Sequence, residues 1–243
     1  MFKVILTISG FDPSGGAGVH ADVKVARALN LHAASVITSL TVQNTCGVSE
    51  LYPVPKNVLS SQLKKIFGDI KISGIKIGVV PDVEVAEAIL EFLKDDVPKV
   101  LDPVISASAG GGLGSVEAYR LLLEHVDVAT PNLYEARTIF GESENPETIA
   151  EEIFRTYGCS VVITGGDLGG KDIVCENGKI YTVEAEITPD EIHGTGCVYS
   201  TALTCYLAKG KNLRDSIRLA RLFVLESVKR AIRIGKCLPV ANP

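Results

Sequence analysis

Short runs of apolar, β-branched residues alternate along the chain with longer segments in which apolar residues recur every three or four positions. This alternation is typical of βαβ units, in which each helix returns the chain to the same edge of a parallel sheet. The pattern therefore indicates an α/β fold with a central, mostly parallel and buried sheet. The predicted strands are 3–9, 33–38, 73–77, 99–102, 126–129 and 160–164, and the predicted helices are 18–29, 56–67, 82–94, 115–124, 132–140, 146–157, 196–209 and 213–233.

The run 172–184 has a different pattern, that of a hairpin. Two short β-branched runs flank Asn177 and Gly178, and this pair of residues readily takes the positive φ angles of a type I′ turn. No linker divides the chain into two halves, so we expect a single domain over 1–243.

Hydrophobic content and net charge limit the kinds of molecule that the protein is expected to bind. Of the 243 residues 46% are hydrophobic, which is enough for a large core, and no run approaches the roughly 18 uninterrupted apolar residues of a membrane span. The formal net charge is −5, whereas proteins that bind nucleic acids or anionic membranes carry a basic surface. We therefore expect a small-molecule partner, with no nucleic acid and no membrane.

The N-terminal residues and the cysteines bear on the compartment. Residues 1–9 contain one lysine and a short apolar run, without the long apolar core or the cleavage site of an export signal. The six cysteines are scattered and form no C-x-x-C pair, so neither a zinc site nor a disulfide framework is expected. Both observations favour a reducing cytoplasm.

Residues suited to ligand binding follow several of the predicted strands. In open parallel sheets, ligands bind beyond the carboxyl ends of the strands, in the loops that lead into helices. At these positions the chain has a glycine-rich loop at 10–18, Gly78, Pro103 and the segment 130–132 (TPN). One rim of the sheet is therefore the predicted site.

The segment 193–197, with the sequence HGTGC, precedes an apolar run with helical character. Unpaired N–H groups and the positive end of the helix dipole let a helix N-terminus bind anions. Glycines let the backbone approach a phosphate closely, and the Thr195 hydroxyl adds a donor. Phosphoryl transfer needs mainly such positioning and charge neutralisation. The alternative is an ordinary glycine turn with a threonine N-cap.

Cys197 is expected in the first turn of that helix. A thiol beside an anion pocket at this position should have a lowered pKa, so Cys197 could take a proton from an attacking hydroxyl group. The alternative is a small buried apolar residue, which is the usual role of a free cysteine.

Oxygen ligands for magnesium are available at two places on the same rim. Asp102 ends a predicted strand, and Asn132 and Glu135 are three residues apart at the start of a predicted helix. Carboxylate and amide oxygens suit Mg²⁺, which keeps several of its waters. For Asn132 and Glu135 the alternative is helix capping, with an acid favourably placed near the helix start.

The glycine-rich loop 10–18 matches neither a Walker A motif nor the dinucleotide-binding fingerprint. It could instead wrap a small substrate, with Asp12 and Asp22 as hydrogen-bond acceptors. For Asp22 a solvated surface charge is an equally simple alternative. A second glycine-rich stretch, 109–115, is either a flap over the rim or a flexible connector.

Taken together, these segments resemble the ribokinase-like superfamily and, within it, the hydroxymethylpyrimidine/phosphomethylpyrimidine kinases of thiamine biosynthesis. The resemblance covers nearly the whole chain. Most members of the superfamily have aspartate at the position of Cys197, whereas pyrimidine kinases and some pyridoxal kinases have cysteine. The matching segments, in family order, are 8–18 (ISGFDPSGGAG) with 21–24 (ADVK), 42–45 (VQNT), 75–78 (IKIG), 100–104 (VLDPV), 130–136 (TPNLYEA) and 193–197 (HGTGC), followed by a tail at 235–240 (GKCLPV).

The resemblance implies a three-layer α/β/α sandwich that forms a homodimer. It also implies that the γ-phosphoryl group of ATP is transferred, with Mg²⁺, to 4-amino-5-hydroxymethyl-2-methylpyrimidine and then to its monophosphate. Cys197 is the implied base, beside an anion hole formed by Gly194, Thr195 and Gly196. Asp102 and Glu135 are the implied residues around the metal.

The resemblance also assigns the two ligand-binding parts of the site. Gln43 suits a substrate contact, because its amide can both donate and accept hydrogen bonds toward an aminopyrimidine edge. The implied pyrimidine contacts are Gly10, Ala17, Asp22, Gln43, Val79 and Val104, and the implied nucleotide contacts are Asn132, Thr164, Gly166 and Thr195.

Three positions depart from the family pattern. Lysine is common where the chain has Ser108 and Thr164, and histidine is common where it has Asp167. Each replacement removes an actual or possible positive charge, so phosphate charge would be met by magnesium, by backbone amides and by Lys171 or Lys76. The methionine that usually follows Gly78 in the family is Val79 here, which alters an apolar wall of the pocket.

Two other functions stay open at this point. One is a pyridoxal kinase, because pyridoxal is also a hydroxymethylated heteroaromatic compound. The other is a pyrimidine-sensing protein that keeps the fold without efficient phosphoryl transfer, which the replacements at Ser108, Thr164 and Asp167 suggest.

Overall fold

The fold is that of a computed structural model, which describes residues 2–93, 96–107, 110–141, 143, 145–184, 186 and 191–243. Ser108 and Ala109, the first of these a departure from the family pattern, lie outside the described residues. Within the described part of the chain, nine strands form one sheet in the order β3-β2-β1-β4-β5-β6-β7-β8-β9. The strands are β1 Val4–Phe11, β2 His32–Asn44, β3 Gly47–Pro53, β4 Gly74–Ile77, β5 Lys99–Leu101, β6 Val128–Ala129, β7 Ser160–Ile163, β8 Lys171–Glu176 and β9 Lys179–Glu184.

The sheet is parallel from β2 to β7 and antiparallel at both ends. β3 pairs antiparallel with β2 at one end, and β8 and β9 form an antiparallel hairpin at the other. The turn between β8 and β9 contains Asn177 with φ 52° and Gly178 with φ 73°, so the predicted hairpin is confirmed.

Helices cover both faces of the sheet. Strand residues alternate between the two faces: in β5, Leu101 packs with the helices α2 to α6, whereas Val100 packs with α1, α7 and α8. The predicted three-layer α/β/α architecture is therefore confirmed. The helices are α1 Gly18–Ala28, α2 Lys56–Asp69, α3 Val83–Leu90, α4 Val116–Leu123, α5 Leu133–Phe140, α6 Pro146–Tyr157, α7 Thr195–Ala208 and α8 Leu213–Lys229.

The sequence prediction missed one strand and the far half of another. β3 has a mixed sequence, GVSELYP, and its residues are half-buried or exposed, so it lacks the apolar run of a buried strand. β2 continues to Asn44 instead of ending near residue 38, because its last six residues pair with β3. Gln43 thereby lies on a strand that extends past the sheet rim.

The expectation that the cysteines stay unpaired is wrong, because Cys46 and Cys237 form a disulfide. The two residues are separated by 191 positions, so spacing along the chain could not show the pairing. They meet because the tail returns beside the β2–β3 turn, where the Leu238 N–H donates to the Thr45 carbonyl at 3.2 Å. None of the helices in the described ranges is long and apolar enough to cross a membrane.

Candidate active site

A cavity of about 350 Å³ opens beyond the carboxyl ends of the parallel strands, as the topology predicts. Of the predicted site residues, only Asp22 is missing from its lining. The predicted residues that line it are Gly10, Ala17, Gln43, Val79, Asp102, Val104, Asn132, Glu135, Thr164, Gly166, Gly194, Thr195, Gly196 and Cys197.

The N-terminus of α7 forms the middle of the cavity wall. Gly194 precedes the helix with φ 88°, and a Cβ atom at this position would overlap the carbonyl oxygen of Gly16. A larger residue therefore cannot replace Gly194 without moving the loop after β1. The first N–H groups of α7 have no acceptor within the helix, so this end can bind an anion.

Cys197 lies in the first turn of α7 as predicted, but its pKa is not lowered. The side chain is buried, and burial raises the pKa of the thiol to about 12, with Asp102 and Asp22 acting in the same direction. The nearby Lys76 opposes this shift without reversing it. Desolvation of the thiolate therefore outweighs the helix dipole in the unliganded site.

A buried ion pair lies beneath Cys197. Lys76 is fully buried, and its Nζ is 3.2 Å from Asp22 Oδ1 and 3.8 Å from Asp102 Oδ2. Although burial favours neutral Lys76, these carboxylates and Cys197 outweigh it and hold the Lys76 pKa above its ordinary value. The cation therefore stays charged under the anion hole.

Asp22 takes neither of the roles considered for it. Its side chain is fully buried, so it is not a solvated surface charge. Its oxygens accept hydrogen bonds from the hydroxyl of Thr7 and, at 2.6 Å, from that of Thr201, and they also pair with Lys76. Asp22 therefore balances Lys76 below the cavity and does not line it.

Asp12 lines the cavity, but its carboxylate is already occupied by hydrogen bonds from within the protein. Its carboxylate accepts hydrogen bonds from the backbone N–H groups of Ser14 and Ala17, from the Ser14 hydroxyl, and from His193 Nε2, all between 2.8 and 2.9 Å. Burial raises the pKa of Asp12, but the hydrogen bonds from His193 and Ser14 outweigh it and lower the pKa overall. Asp12 therefore shapes the glycine-rich loop and holds His193.

Asp102, Asn132 and Glu135 meet at the other end of the cavity. Asn132 and Glu135 form a capping box at the start of α5, so the capping alternative is correct, and both residues line the cavity as well. Burial and the nearby Asp102 raise the pKa of Glu135 to about 8. Burial also raises the pKa of Asp102, against the effects of Lys76 and a hydrogen bond from Ser200.

The donor set at this end fits a magnesium ion that is shared with a phosphate ligand. No group of three His, Cys, Asp or Glu side chains in the described residues could hold a metal alone. Two carboxylates and an amide oxygen are nevertheless hard ligands of the type Mg²⁺ prefers, and Mg²⁺ takes its other ligands from water and phosphate. The pKa values of Asp102 and Glu135 are raised mainly by burial, so a bound cation would favour their carboxylate forms.

The predicted nucleotide end contains a cation that the sequence interpretation missed. Thr164, Gly166 and Asp167 line the cavity at the short 3₁₀ turn Gly165–Leu168. Arg221 of α8 also lines it, with its guanidinium 3.0 Å from Asp172 and 3.1 Å from the Gly170 carbonyl. Arg221 belongs to no motif and is 51 residues from Gly170, so nothing local in the sequence indicated its role.

The two lysines considered as sources of phosphate charge do not line the cavity. Lys76 is buried beneath it, and Lys171 is largely exposed, with its Nζ 3.4 Å from Glu184. Within the described ranges, the cationic side chain that lines the cavity is Arg221.

Known proteins resemble this chain over nearly its whole length. The family model described as phosphomethylpyrimidine kinase matches residues 12–241. The hydroxymethylpyrimidine/phosphomethylpyrimidine kinase of Aquifex aeolicus (strain VF5) is 37% identical over 247 residues, which cover 96% of this chain and 97% of that protein. The protein of the same name from Haemophilus influenzae is 32% identical over 96% of this chain and 94% of its own length.

Solved structures give the same fold. The pyridoxal kinase from Staphylococcus aureus in complex with pyridoxal has a TM-score of 0.88 and 25% identity, covering 100% of this chain and 93% of its own. The phosphomethylpyrimidine kinase from Clostridium difficile 630 has a TM-score of 0.80 and 32% identity, covering 93% of this chain and 99% of its own. From the family model and these relatives, the chain belongs to the phosphomethylpyrimidine kinase family, with the ribokinase-like fold.

Proposed function

We propose that the protein transfers the γ-phosphoryl group of ATP to the hydroxymethyl group of 4-amino-5-hydroxymethyl-2-methylpyrimidine and then to the resulting monophosphate, in thiamine biosynthesis. One observation carries the proposal: a single cavity is lined by Gln43, by the start of α7 and by the acids Asp102 and Glu135. These groups suit, in turn, an aminopyrimidine ring, a phosphate group and a magnesium ion. The names of the relatives support the same reaction.

In this proposal the pyrimidine ring lies against the loop after β1. Gly10 and Ala17 leave space beside the ring, Val79 and Val104 provide apolar contacts, and Gln43 provides hydrogen bonds to the polar edge. Apolar walls with a few placed polar groups are typical of small-molecule sites. Asp22 has no part in this contact, since its carboxylate is occupied beneath the cavity.

ATP would lie along the rim toward α8. Asn132, Thr164, Gly166 and Thr195 are the proposed nucleotide contacts, and Arg221 joins them because it also lines the cavity. A related structure, the Bacillus subtilis pyridoxal kinase, is an ADP complex with a TM-score of 0.86 and 28% identity. The proposed Mg²⁺ would be held by Asp102 and Glu135 and would neutralise phosphate charge.

Catalysis would depend on the amides of 194–197 and on Cys197. The amides at the start of α7 stabilise charge on the transferred phosphoryl group, above the buried Lys76 cation. Cys197 accepts the proton of the attacking hydroxyl group. Its own thiol proton has an acceptor, because a hydrogen bond from Cys197 to Asp102 contributes to the pKa of Asp102. The hydroxyl proton can therefore pass to the sulfur as the thiol proton passes to an Asp102 oxygen that does not hold Mg²⁺, so the resting site needs no free thiolate.

An ADP-release assay with the purified protein tests the reaction. The pyrimidine, its monophosphate and pyridoxal are compared at equal concentrations with saturating ATP and Mg²⁺. We expect turnover with both pyrimidines and a lower kcat/KM with pyridoxal. Turnover with pyridoxal alone would favour the alternative pyridoxal kinase, to which the structural similarity with the Staphylococcus aureus enzyme lends support.

The pyrimidine-sensing alternative predicts binding without turnover. It is motivated by Thr164 and Asp167, which lie in the cavity wall without positive charge. Arg221 weakens this argument, because it offers a cation at the same end of the cavity. Calorimetry with the pyrimidine, alongside the ADP-release assay, separates the two functions.

The assembly and location that we propose are a homodimer in the cytoplasm. Exposed apolar side chains on the β2–β3 edge, Leu40, Val42 and Tyr52, suit contact with a second copy. The cytoplasmic location rests on the N-terminal residues alone, because the Cys46–Cys237 disulfide removes the argument from unpaired cysteines. Sedimentation at micromolar concentration, with Val42→Asp as the interface variant, tests the dimer.

A further inference from the structure

A line of polar side chains connects the loop after β1 to the amide of Gln43. Asp12 Oδ2 is 2.9 Å from His193 Nε2, and the same His193 nitrogen is 3.3 Å from Gln43 Nε2. Thr41 Oγ1 lies 3.1 Å from Gln43 Oε1 and 2.9 Å from the carbonyl oxygen of Phe11. Asp12 and His193 are almost fully buried, at 3% and 2% exposure. The position of the hydrogen on each group therefore decides whether its neighbour must donate or accept a hydrogen bond.

Asp12 is a carboxylate that can only accept hydrogen bonds. Four donors surround it: two backbone N–H groups, the hydroxyl of Ser14 and His193 Nε2. A protonated Asp12 would have to donate toward one of these groups. The ionised form satisfies all four, so the hydrogen between Asp12 and His193 lies on the histidine.

The tautomer of His193 follows from this pairing. Nε2 carries the hydrogen that points to Asp12, and in the part of the chain that the structure describes Nδ1 has no hydrogen-bond partner. The neutral ring with hydrogen on Nε2 fits these surroundings. Such a nitrogen cannot accept a hydrogen bond from the NH₂ group of Gln43.

Thr41 restricts the orientation of the Gln43 amide at its other end. A hydroxyl has one hydrogen, and the Phe11 carbonyl oxygen, 2.9 Å away, can only accept it. The hydroxyl must then accept from Gln43. At His193 an NH₂ group would face another N–H donor, whereas the amide oxygen can share the Nε2 hydrogen with Asp12. Both neighbours therefore favour the amide oxygen toward His193 and the NH₂ group toward Thr41, which a half-turn about the terminal torsion provides.

We propose that Asp12 and His193 are positioning residues that fix the orientation of the Gln43 amide and thereby select the substrate ring. The fixed amide presents its oxygen on the His193 side and its NH₂ group on the Thr41 side. A ring with an amino donor beside a nitrogen acceptor is complementary to this order. A 4-oxo ring, with N–H beside C=O, presents the opposite order and leaves polar groups unpaired. The inference rests on the proposed function for the identity of the ring.

Packing holds the imidazole in place. A Cβ atom on Gly16 would lie 2.5 Å from His193 Cδ2 and 2.7 Å from Val240, so the glycine allows the loop to close on the ring. The backbone of His193 pairs with the tail, donating to the Pro239 carbonyl at 2.9 Å and accepting from the Ala241 N–H at 3.1 Å. His193 therefore has little freedom to follow a mismatched ligand.

The test measures binding of two compounds by calorimetry without ATP: 4-amino-5-hydroxymethyl-2-methylpyrimidine and its 4-oxo counterpart. For the unmodified protein we expect the amino compound to bind roughly 10²-fold more tightly, because the oxo compound leaves buried polar groups unpaired. His193→Leu should lower this ratio to less than about 10, chiefly because the released amide can turn to suit the oxo ring. His193→Gln keeps a donor toward Asp12 and should restore most of the ratio.

Two further variants separate positioning from a structural role. In a Gln43→Leu background, His193→Leu should leave the ratio unchanged, because the group through which it acts is gone. Thr41→Val removes the acceptor at the other end of the amide and should lower the ratio by several-fold without disturbing Asp12. This variant also serves as the probe if His193→Leu fails to fold.

Outcomes that contradict the positioning role can be told apart from an outcome that contradicts the kinase reaction. If His193→Leu and Thr41→Val weaken both compounds equally and keep the ratio, the residues are structural and the inference is wrong. An unmodified protein with no preference for the amino compound also overturns it. Because the measurement uses no ATP, a preserved preference without ADP release would instead contradict the proposed kinase reaction and leave the positioning role standing.

Discussion

Asp12 at one end of the cavity accepts four hydrogen bonds, whereas Asp102 and Glu135 at the other end are buried together with few donors. The pKa of Asp12 is lowered, and the pKa values of Asp102 and Glu135 are raised. The substrate end is thus complete before any ligand binds. At the opposite end Lys76 lies near Asp102, yet burial keeps both pKa values raised, so a further cation would stabilise the two carboxylates. This suits a site for a metal and polyphosphate.

The largest expected effect concerns the residue between the two ends. Cys197→Ala removes the proposed proton acceptor, so kcat should fall by about 10²–10⁴ while the affinity for ATP is kept. Cys205→Ala is the matched control, since Cys205 is buried in the same helix but does not line the cavity. Near-normal kcat in the Cys197 variant would exclude its catalytic role.

The second largest effect concerns Asp102 and Glu135, whose pKa values are raised. The pKa of Glu135 is about 8 in the folded protein, against 4.5 for an ordinary glutamate. Between these pH values the folded state binds more protons than the unfolded state, so the free energy of unfolding should fall as pH rises through this window, by roughly 5 kcal/mol in total. Urea denaturation from pH 4.5 to 8.5 measures this slope.

Glu135→Gln should flatten the slope, and saturating Mg-ATP should reduce it, because the bound cation favours the carboxylate. Glu124→Gln is the control, since Glu124 is exposed. If the stability of Glu135→Gln depends on pH as steeply as that of the unmodified protein, other groups cause the pH dependence. The two ends of the cavity would then not differ in the way described.

Removal of the Cys46–Cys237 disulfide tests whether the substrate end of the cavity is rigid. Replacing Cys46 and Cys237 by serine should lower the free energy of unfolding by about 3 kcal/mol, because the disulfide closes a long loop. The tail that it anchors also pairs with His193, so KM for the pyrimidine should rise while KM for Mg-ATP stays constant. Reduction of the unmodified protein should reproduce both changes and leave the double variant unaffected. Equal changes in both KM values would contradict a local effect.

The smallest effect is expected at Arg221. Arg221→Lys keeps the charge beside Asp172 but loses the planar guanidinium, so KM for ATP should rise by roughly 10-fold at unchanged KM for the pyrimidine. Arg218→Lys, at an exposed position of the same helix, should have no effect. A rise in the pyrimidine KM instead would assign Arg221 to the other end.

The sequence allowed the fold and the site rim to be predicted because both depend on local patterns and one topological rule. Periodicity located every strand of the parallel part of the sheet, and the carboxyl-end rule then gathered the loop 10–18, Asp102 and the 193–197 segment at one rim. Motif order along the chain identified the family. None of these steps needed a long-range side-chain contact.

The parts that escaped prediction depend on partners distant in sequence. Asp22 has an unremarkable local context, and its role follows only from Lys76, 54 residues away. Likewise, the local position of Cys197 at a helix start predicted a lowered pKa, whereas burial and two carboxylates determine the actual direction. Cys46 and Cys237 could not be paired from spacing for the same reason.

The position of the tail has a consequence for synthesis of the protein. Residues 238–241 hydrogen-bond to Thr45 and His193, and Val240 packs near Gly16, so the wall that holds His193 contains residues from both ends of the described chain. A nascent chain on the ribosome cannot form this wall until residue 241 has left the exit tunnel. Binding of the pyrimidine should therefore begin only after residue 241 has emerged, and it cannot assist the folding of the earlier strands during translation.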